Sequence, residues 1–401
     1  MRRFDQDALF DNLAEQGKLD GSLMVSLADV VADLHRRAEV QSGGGYEAMA
    51  AIVDGNASDL TSLSDDVGRA DDVARLIEGT RDALLQHQSL LNERAEHGFI
   101  RRCHGDLHLG NIFLEGECPV LFDCLEFDEA LASIDVFYDL AFLMMDLCHR
   151  GLQQLARLLF NAYLDQTWDD NGSALLPLFL AIRATIRAKI EGFEIGTASS
   201  DEDRARHSIA AGHYLDLARD LLTVDRPALI AIGGLSGSGK STVARILASR
   251  LCTRPWTVVL RSDLIRKRLH GVAPTECLGE DAYGPTQNDE VDHMLEQRAG
   301  DLLRAGRTVI VDATFLDRSN RTQVEDIAHD LDVPFHGIWL DAPRSILEER
   351  IQSRRGDASD ATTEVLTKQS ERDLGVMTWT ITDASFDAED VARNVQRQLS
   401  V

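Results

Sequence analysis

Apolar residues recur at three- and four-residue spacing over the first hundred positions. Leu23, Leu27, Val30, Val31 and Leu34 form one stripe, and Val73, Leu76, Ile77, Leu84 and Leu85 another. That periodicity predicts amphipathic helices. Between Phe99 and Phe127 the texture changes to short apolar runs, Asn111-Ile112-Phe113-Leu114 and Val120-Leu121-Phe122, separated by a turn containing Gly116. These runs predict a small hairpin. Helical spacing resumes over 135–148, 151–164, 175–190 and 204–222, so the first part of the chain is expected to be mostly α.

Asp225-Arg226-Pro227 interrupts the last of these helices, because proline has no amide hydrogen and restrains the residue before it. Beyond it, short β-rich runs alternate with amphipathic stretches. The runs are 228–232, 257–260, 308–311 and 337–340. Such alternation implies right-handed βαβ units and a parallel sheet. Two domains are expected, 1–224 and 225–401.

With 401 residues, 44% apolar and 27% charged, the chain has the composition of folded globular proteins rather than of disordered or collagenous ones. Its formal charge of -26 disfavours attraction of the whole surface to nucleic acid or anionic lipid. A local basic pocket stays open. The six cysteines form no CxxC pair and no ligand-spaced cluster, and the N-terminus lacks a secretory apolar core. The longest apolar stretch, 174–182, is about half a membrane span and contains Pro177. A cytoplasmic chain with reduced thiols and no membrane contact is expected, and its oligomeric state is not written in the sequence.

The sharpest chemical signal follows the first β run of the second half. Gly234-Leu235-Ser236-Gly237-Ser238-Gly239-Lys240-Ser241-Thr242 matches GxxxxGK[ST] between a strand and a helix. Glycines let backbone amides wrap a phosphate, the helix N-terminus adds its dipole, Lys240 reaches the β- and γ-phosphates, and Ser241 can ligate Mg²⁺. The plain alternative is a glycine-rich turn. Asp312 ends the run 308–311, where a carboxylate would face the phosphate crevice and could hold the metal; helix capping is the alternative. Arg261-Ser262-Asp263-Leu264-Ile265-Arg266 follows the second run, setting Asp263 and Arg266 about one turn apart.

Together these residues resemble the P-loop kinases that include gluconate kinase, polynucleotide 5′-kinase and zeta-toxin-like enzymes, over about residues 226–400. The resemblance makes Asp263 the base that activates an acceptor hydroxyl and Arg266 a substrate contact. Arg350, Arg354 and Arg355 before Gly356-Asp357-Ala358-Ser359-Asp360-Ala361 look like the arginine-bearing lid of that group. Their alternative is a solvated face paired with Glu348 and Glu349.

The first half carries a second constellation. His104-Gly105-Asp106-Leu107-His108-Leu109-Gly110-Asn111 is followed, twelve residues on, by Asp123. This matches the logic of kinase-like phosphotransferases, with one Asp as base and an Asn and a second Asp on Mg²⁺. Those residues are Asp106, Asn111 and Asp123; core histidines and turn-capping aspartates are the alternative. The form HGDLHLGN, with Asp135 and Tyr138-Asp139-Leu140-Ala141 after it, resembles the aminoglycoside phosphotransferase family over roughly residues 1–200. That family's fold needs an N-terminal β lobe with a strand lysine, whereas this chain opens with helices and has Lys18 alone before the loop. Met1-Arg2-Arg3-Phe4 looks similar to the segment just after the hinge of that family. An N-lobe-less, impaired first domain is therefore expected beside an ATP- and Mg²⁺-dependent kinase domain. The acceptor would be a small-molecule hydroxyl. A nucleotide-binding switch and a polynucleotide 5′-kinase are the other readings, the latter on the basic run Arg261, Arg266, Lys267 and Arg268.

Overall fold

The computed structural model describes residues 6–125, 132–251, 253–254, 256–353 and 358–399. It divides into two compact units, Met1–Val224 and Asp225–Val401.

In the first unit, helices Gly21–Arg37, Gly45–Val67, Ala70–Gln86 and Gln88–Glu96 precede the first strand, β1 (Ile100–Arg102). The buried stripe of Gly21–Arg37 is Met24, Leu27, Ala28, Val31, Ala32 and His35. It is rotated from the stripe read in the sequence, because small Ala28 and Ala32 let Gln153–Thr167 pack against this face. Leu85, expected on an apolar face, is 61% exposed.

β2 (Ile112–Glu115) and β3 (Cys118–Leu121) form the expected antiparallel hairpin, with Ile112 opposite Leu121. The turn residue Gly116 has φ 65°. β1 pairs instead with β4 (Ser133–Asp135), a three-residue strand the pattern did not announce. Helix Val136–His149 follows, capped by Asp135, whose carboxylate accepts from Phe137 N. Every residue from Val136 to Cys148 is buried. An apolar helix on all sides belongs at the centre of a domain, and helices Gln153–Thr167 and Leu176–Thr197 pack around it.

The second unit is a five-stranded parallel sheet. β5 (Leu229–Gly234), β6 (Val258–Arg261), β7 (Val309–Asp312), β8 (Phe335–Asp341) and β9 (Thr380–Asp383) are ordered β6-β7-β5-β8-β9. Ile230, Ile232, Val259, Ile310, Ile338 and Leu340 on one face meet Val243 and Leu247 of helix Lys240–Arg250 and Val391 and Val395 of helix Ala388–Gln398. The alternate residues face the other way, where helix Pro285–Arg304 packs against β6 and β7. No helix among the described residues is long and apolar enough to cross a membrane.

Candidate active sites

β5 runs directly into the glycine-rich loop, and helix Lys240–Arg250 starts at its lysine. Gly237 has φ 86°, and a Cβ there would lie 2.5 Å from the Leu347 carbonyl oxygen. Gly234, at φ 145°, would meet Leu340 O at 2.6 Å. Both positions therefore require glycine. Ser236 N donates to Gln369 Oε1 at 2.9 Å, tying the loop to helix Thr363–Ser370. Lys240 Nζ folds back over the loop to Leu235 O at 3.0 Å. The amides of Lys240, Ser241 and Thr242 open the helix, where backbone donors lack intrahelical acceptors. Such an arrangement can cradle a phosphate, and the donor set suits a nucleotide carrying Mg²⁺.

Asp312 is the last residue of β7 and is buried, so the capping alternative falls away. In the parallel register it lies opposite Arg261, whose Nε is 3.5 Å from Asp312 Oδ2. Asp263 stands in the first turn of helix Ser262–Leu269. Burial raises its carboxyl pKa and the Asp312 charge adds to this, while Arg261, Lys240 and a hydrogen bond with Ser359 oppose it. Because β5, β7 and β6 are neighbours in the sheet, the loop bearing Lys240, Asp312 at the end of β7 and Asp263 just after β6 all fall at the carboxyl ends of adjacent strands.

Arg266 is nine-tenths buried, donates from NH1 to Ala282 O at 2.7 Å and lies 4.7 Å from the Tyr283 ring centroid. Asp292 was not singled out in the sequence. Burial raises its pKa while Arg266 lowers it, and it accepts from Asn320 Nδ2 at 2.6 Å. Lys267, 2% exposed, is held by both oxygens of Asp360 at 2.8 and 2.7 Å. Asp360 also accepts from Tyr283 Oη and Leu278 N. The basic run is therefore not an exposed patch: Arg261, Arg266 and Lys267 are engaged inside the fold.

Arg350 reaches the loop rather than Glu348, with NH1 3.5 Å from Ser238 O and NH2 3.0 Å from Phe386 O. Glu348 is taken by Arg344. Arg354, Arg355, Gly356 and Asp357 lie outside the described residues, as do Cys252, Phe127 and Met1 to Phe4.

In the first unit, Asn111 Nδ2 donates to Asp106 O at 2.9 Å and Oδ2 at 3.0 Å, and His108 Nε2 is 3.5 Å from Asp106 Oδ2. The His108 contact, against partial burial and with help from Asn111 and His104, holds the Asp106 carboxyl below its ordinary value. Phe122 N donates to Asn111 O, and His104 Nε2 lies 2.9 Å from Phe122 O. These bonds bring the end of β3 beside the loop. Asp123 follows, exposed, with φ 59°.

One buried carboxylate anchors this loop from below. Asp139 accepts from Gly105 N at 2.8 Å and His104 N at 3.2 Å, and its Oδ2 is 3.1 Å from His35 Nε2. His35 Nδ1 in turn lies 2.8 Å from Tyr163 Oη. Cys103 joins His35 and Asp139 in a buried group with ligand atoms within 4.8 Å of one another, a cluster that linear cysteine spacing did not reveal. The nitrogens of His35 and both oxygens of Asp139 are already engaged, so the group serves to hold the catalytic-type loop.

The division into two units agrees with the family comparisons. Residues 4–171 match the phosphotransferase enzyme family and residues 229–372 match an AAA domain. The chain thus joins a domain that matches the phosphotransferase enzyme family to one that matches an AAA domain. Uncharacterised proteins of Mycobacterium tuberculosis and Mycobacterium bovis are 29% identical over 375 residues, spanning 91% of this chain and 73% of theirs. Among solved structures, the Mycobacterium tuberculosis APS kinase in complex with AMPPNP and APS is similar at 21% identity. It aligns over 44% of this chain and 99% of its own, with a TM-score of 0.35. A gluconokinase from Sinorhizobium meliloti is similar at 22% identity over 44% of this chain and 93% of its own, with a TM-score of 0.31. The first match is to a phosphotransferase family and the second to an AAA domain, a pairing that supports phosphotransferase activity in the broad sense.

Proposed function

We propose that the P-loop kinase domain, read as residues 225–401, is an ATP- and Mg²⁺-dependent small-molecule phosphotransferase. The observation that carries this reading is the glycine-rich loop after β5 that ends on Lys240, set beside Asp312 at the end of β7 and Asp263 just after β6 in neighbouring strands of one sheet. Amides of the loop 234–242 and Lys240 would hold the phosphates, and Ser241 and Asp312 would hold Mg²⁺. Bound there, Mg²⁺ supplies neutralising charge to the phosphate oxygens.

Asp263 takes the proton of the acceptor hydroxyl, whose oxygen bonds to the γ-phosphorus as the bond to the β–γ bridging oxygen breaks. Burial and the Asp312 charge raise its pKa, which makes it a stronger proton acceptor than an ordinary carboxylate. Arg266 contacts the acceptor, and Arg350, with Arg354, offsets charge on the moving phosphoryl group. Phosphoryl transfer needs mainly positioning and charge stabilisation, which this set of groups provides. The partners on this reading are a nucleotide and a small hydroxyl acceptor in the cytoplasm.

The phosphotransferase-family domain, read as residues 1–224, is proposed to be impaired in this chain, despite the intact Asp106, Asn111 and Asp123 constellation. Its Asp106 carboxylate is already engaged by Asn111 Nδ2 at 3.0 Å and by His108 Nε2 at 3.5 Å.

Calorimetric titration of MgATP into wild type, Lys240→Ala and Asp123→Ala tests both parts. One site, lost in Lys240→Ala and retained in Asp123→Ala, is the expected result. Two sites, one surviving Lys240→Ala and vanishing in Asp123→Ala, would overturn the impaired reading. Binding that survives Lys240→Ala alone would overturn the P-loop reading.

A further inference from the structure

A cavity of about 380 Å³ opens in the first unit, within the size range of small-molecule sites. Phe142 and Met145 supply its apolar wall, and His149 and Tyr214 a flat aromatic one. These two rings stack at 3.9 Å between centroids and 11° between planes. Burial, with Arg150, His213 and Arg187 nearby, lowers the His149 pKa despite the Asp146 charge, which favours the neutral ring.

The charges around the cavity are unevenly spent. Asp146 uses both oxygens, one on Leu109 N at 3.0 Å and the other on Arg150 Nε at 3.1 Å. Asp11 accepts from Asn12 N at 2.8 Å. Glu191, close to Tyr214, is occupied by His207 at 2.8 Å. Arg187 has no carboxylate within 4 Å among the described residues; its guanidinium lies 5.8 Å from the Tyr214 ring centroid. The outer nitrogens of Arg150 also remain available beyond its Nε contact. In a chain of net charge -26, a concavity in which Asp146 is paired to Arg150 and Arg187 meets the Tyr214 hydroxyl instead of a carboxylate is a local exception that can receive an anion.

We propose that this cavity binds a small organic anion with a flat apolar body, its phosphate or carboxylate held by Arg187 and Arg150 and its body against Tyr214 and His149. Guanidinium forks match both headgroups in a bidentate way, and the stacked rings offer a face for the remainder. His108 lines the cavity and stands 3.5 Å from Asp106, so the occupant sits beside the phosphotransferase-type loop. A polycationic occupant of aminoglycoside type would meet the Arg187 guanidinium there, which no carboxylate offsets within 4 Å among the described residues.

The test is calorimetric titration of phenyl phosphate, benzoate and tobramycin into the full chain, as wild type, Arg187→Gln, Arg150→Gln and Lys240→Ala. The expected result is one site for phenyl phosphate or benzoate, the preferred anion distinguishing the two headgroups. That site weakens about tenfold in Arg187→Gln, as expected for loss of a charge-assisted contact, and is unchanged in Lys240→Ala. Arg150→Gln, on the more exposed rim, weakens it in the same direction and replaces the first variant should Arg187→Gln not fold. Binding abolished by Lys240→Ala and untouched by the arginine variants would assign the anion to the P-loop and overturn the proposal. So would binding of tobramycin in preference to both anions, or of neither anion. Because Lys240→Ala separates the two sites, failure here is distinguishable from failure of the kinase reading.

Discussion

The two phosphate-type loops of this chain are built on opposite principles. The P-loop is shaped by backbone: Gly234 and Gly237 adopt positive φ and leave no room for a side chain. The loop around Asp106 is shaped by side chains. Asp139 grips the amides of His104 and Gly105 from beneath, and Asn111 and His108 fix Asp106 from above. Their carboxylates differ accordingly, since burial raises Asp263 whereas the His108 contact lowers Asp106. A backbone cradle leaves its carboxylate free to be tuned by desolvation; a side-chain cradle spends its carboxylate on structure.

The largest test of that contrast is to remove each anchor. Asp139→Ala leaves His35 and two buried amides without their acceptor, and breaking such a buried pair costs about 3–5 kcal/mol. Urea denaturation should register that loss in the first unit. Asp360→Ala strips the buried Lys267 of its partner. Because Asp360 is itself partly exposed, the expected loss is at the lower end, about 3 kcal/mol. An Asp139→Ala protein as stable as wild type would remove the claim that one carboxylate holds the loop.

Glycine substitutions sharpen the comparison at smaller magnitude. Gly237→Ala forces a Cβ against a backbone carbonyl at positive φ, costing about 1–2 kcal/mol of conformational strain before the clash is counted, and MgATP binding should be lost with it. Gly110 has no positive φ, and a Cβ there would meet the His108 ring edge at 2.9 Å, a side chain that can turn. Gly110→Ala should lower the melting temperature by less than Gly237→Ala, because the ring gives way at the cost of its contacts with Gly110 N and Asp106. Equal losses from both substitutions would contradict the division between backbone-built and side-chain-built loops.

Legibility in the sequence follows the same division. The P-loop could be read directly, because its geometry demands glycine at fixed spacing and so writes itself as a motif. The hairpin of β2 and β3 and four of the five sheet strands were visible as apolar runs. β9 was not: Thr380, Ile381 and Asp383 are exposed, and a four-residue edge strand with one buried position has no apolar run. The anchors were equally invisible. Asp139 meets His35 across 104 residues, Asp360 meets Lys267 across 93, and Gln369 meets Ser236 across 133. No local spacing encodes such partners. The basic run around Arg266 failed as a patch for the same reason, its charges being consumed by residues far along the chain.

The smallest effect carries the most specific sign. A carboxyl whose folded pKa is raised holds its proton in the native state over a window where the unfolded chain has released it. Stability therefore falls as pH rises through that window and stays reduced above it. Asp263 is such a group, so Asp263→Asn should raise the melting temperature near neutral pH by about 2–4 °C while phosphoryl transfer falls. Asp106 runs the other way. Its lowered pKa contributes stability above the ordinary carboxylate range, lost as pH falls through the lowered value. Asp106→Asn should then reduce the melting temperature near neutral pH and converge with wild type in acid. Calorimetric scans of both variants from about pH 4 to pH 8 read the two signs together. Shifts in the same direction would mean that burial, rather than the His108 and Asn111 contacts, governs both carboxylates, and the contrast between the loops would collapse to one of depth.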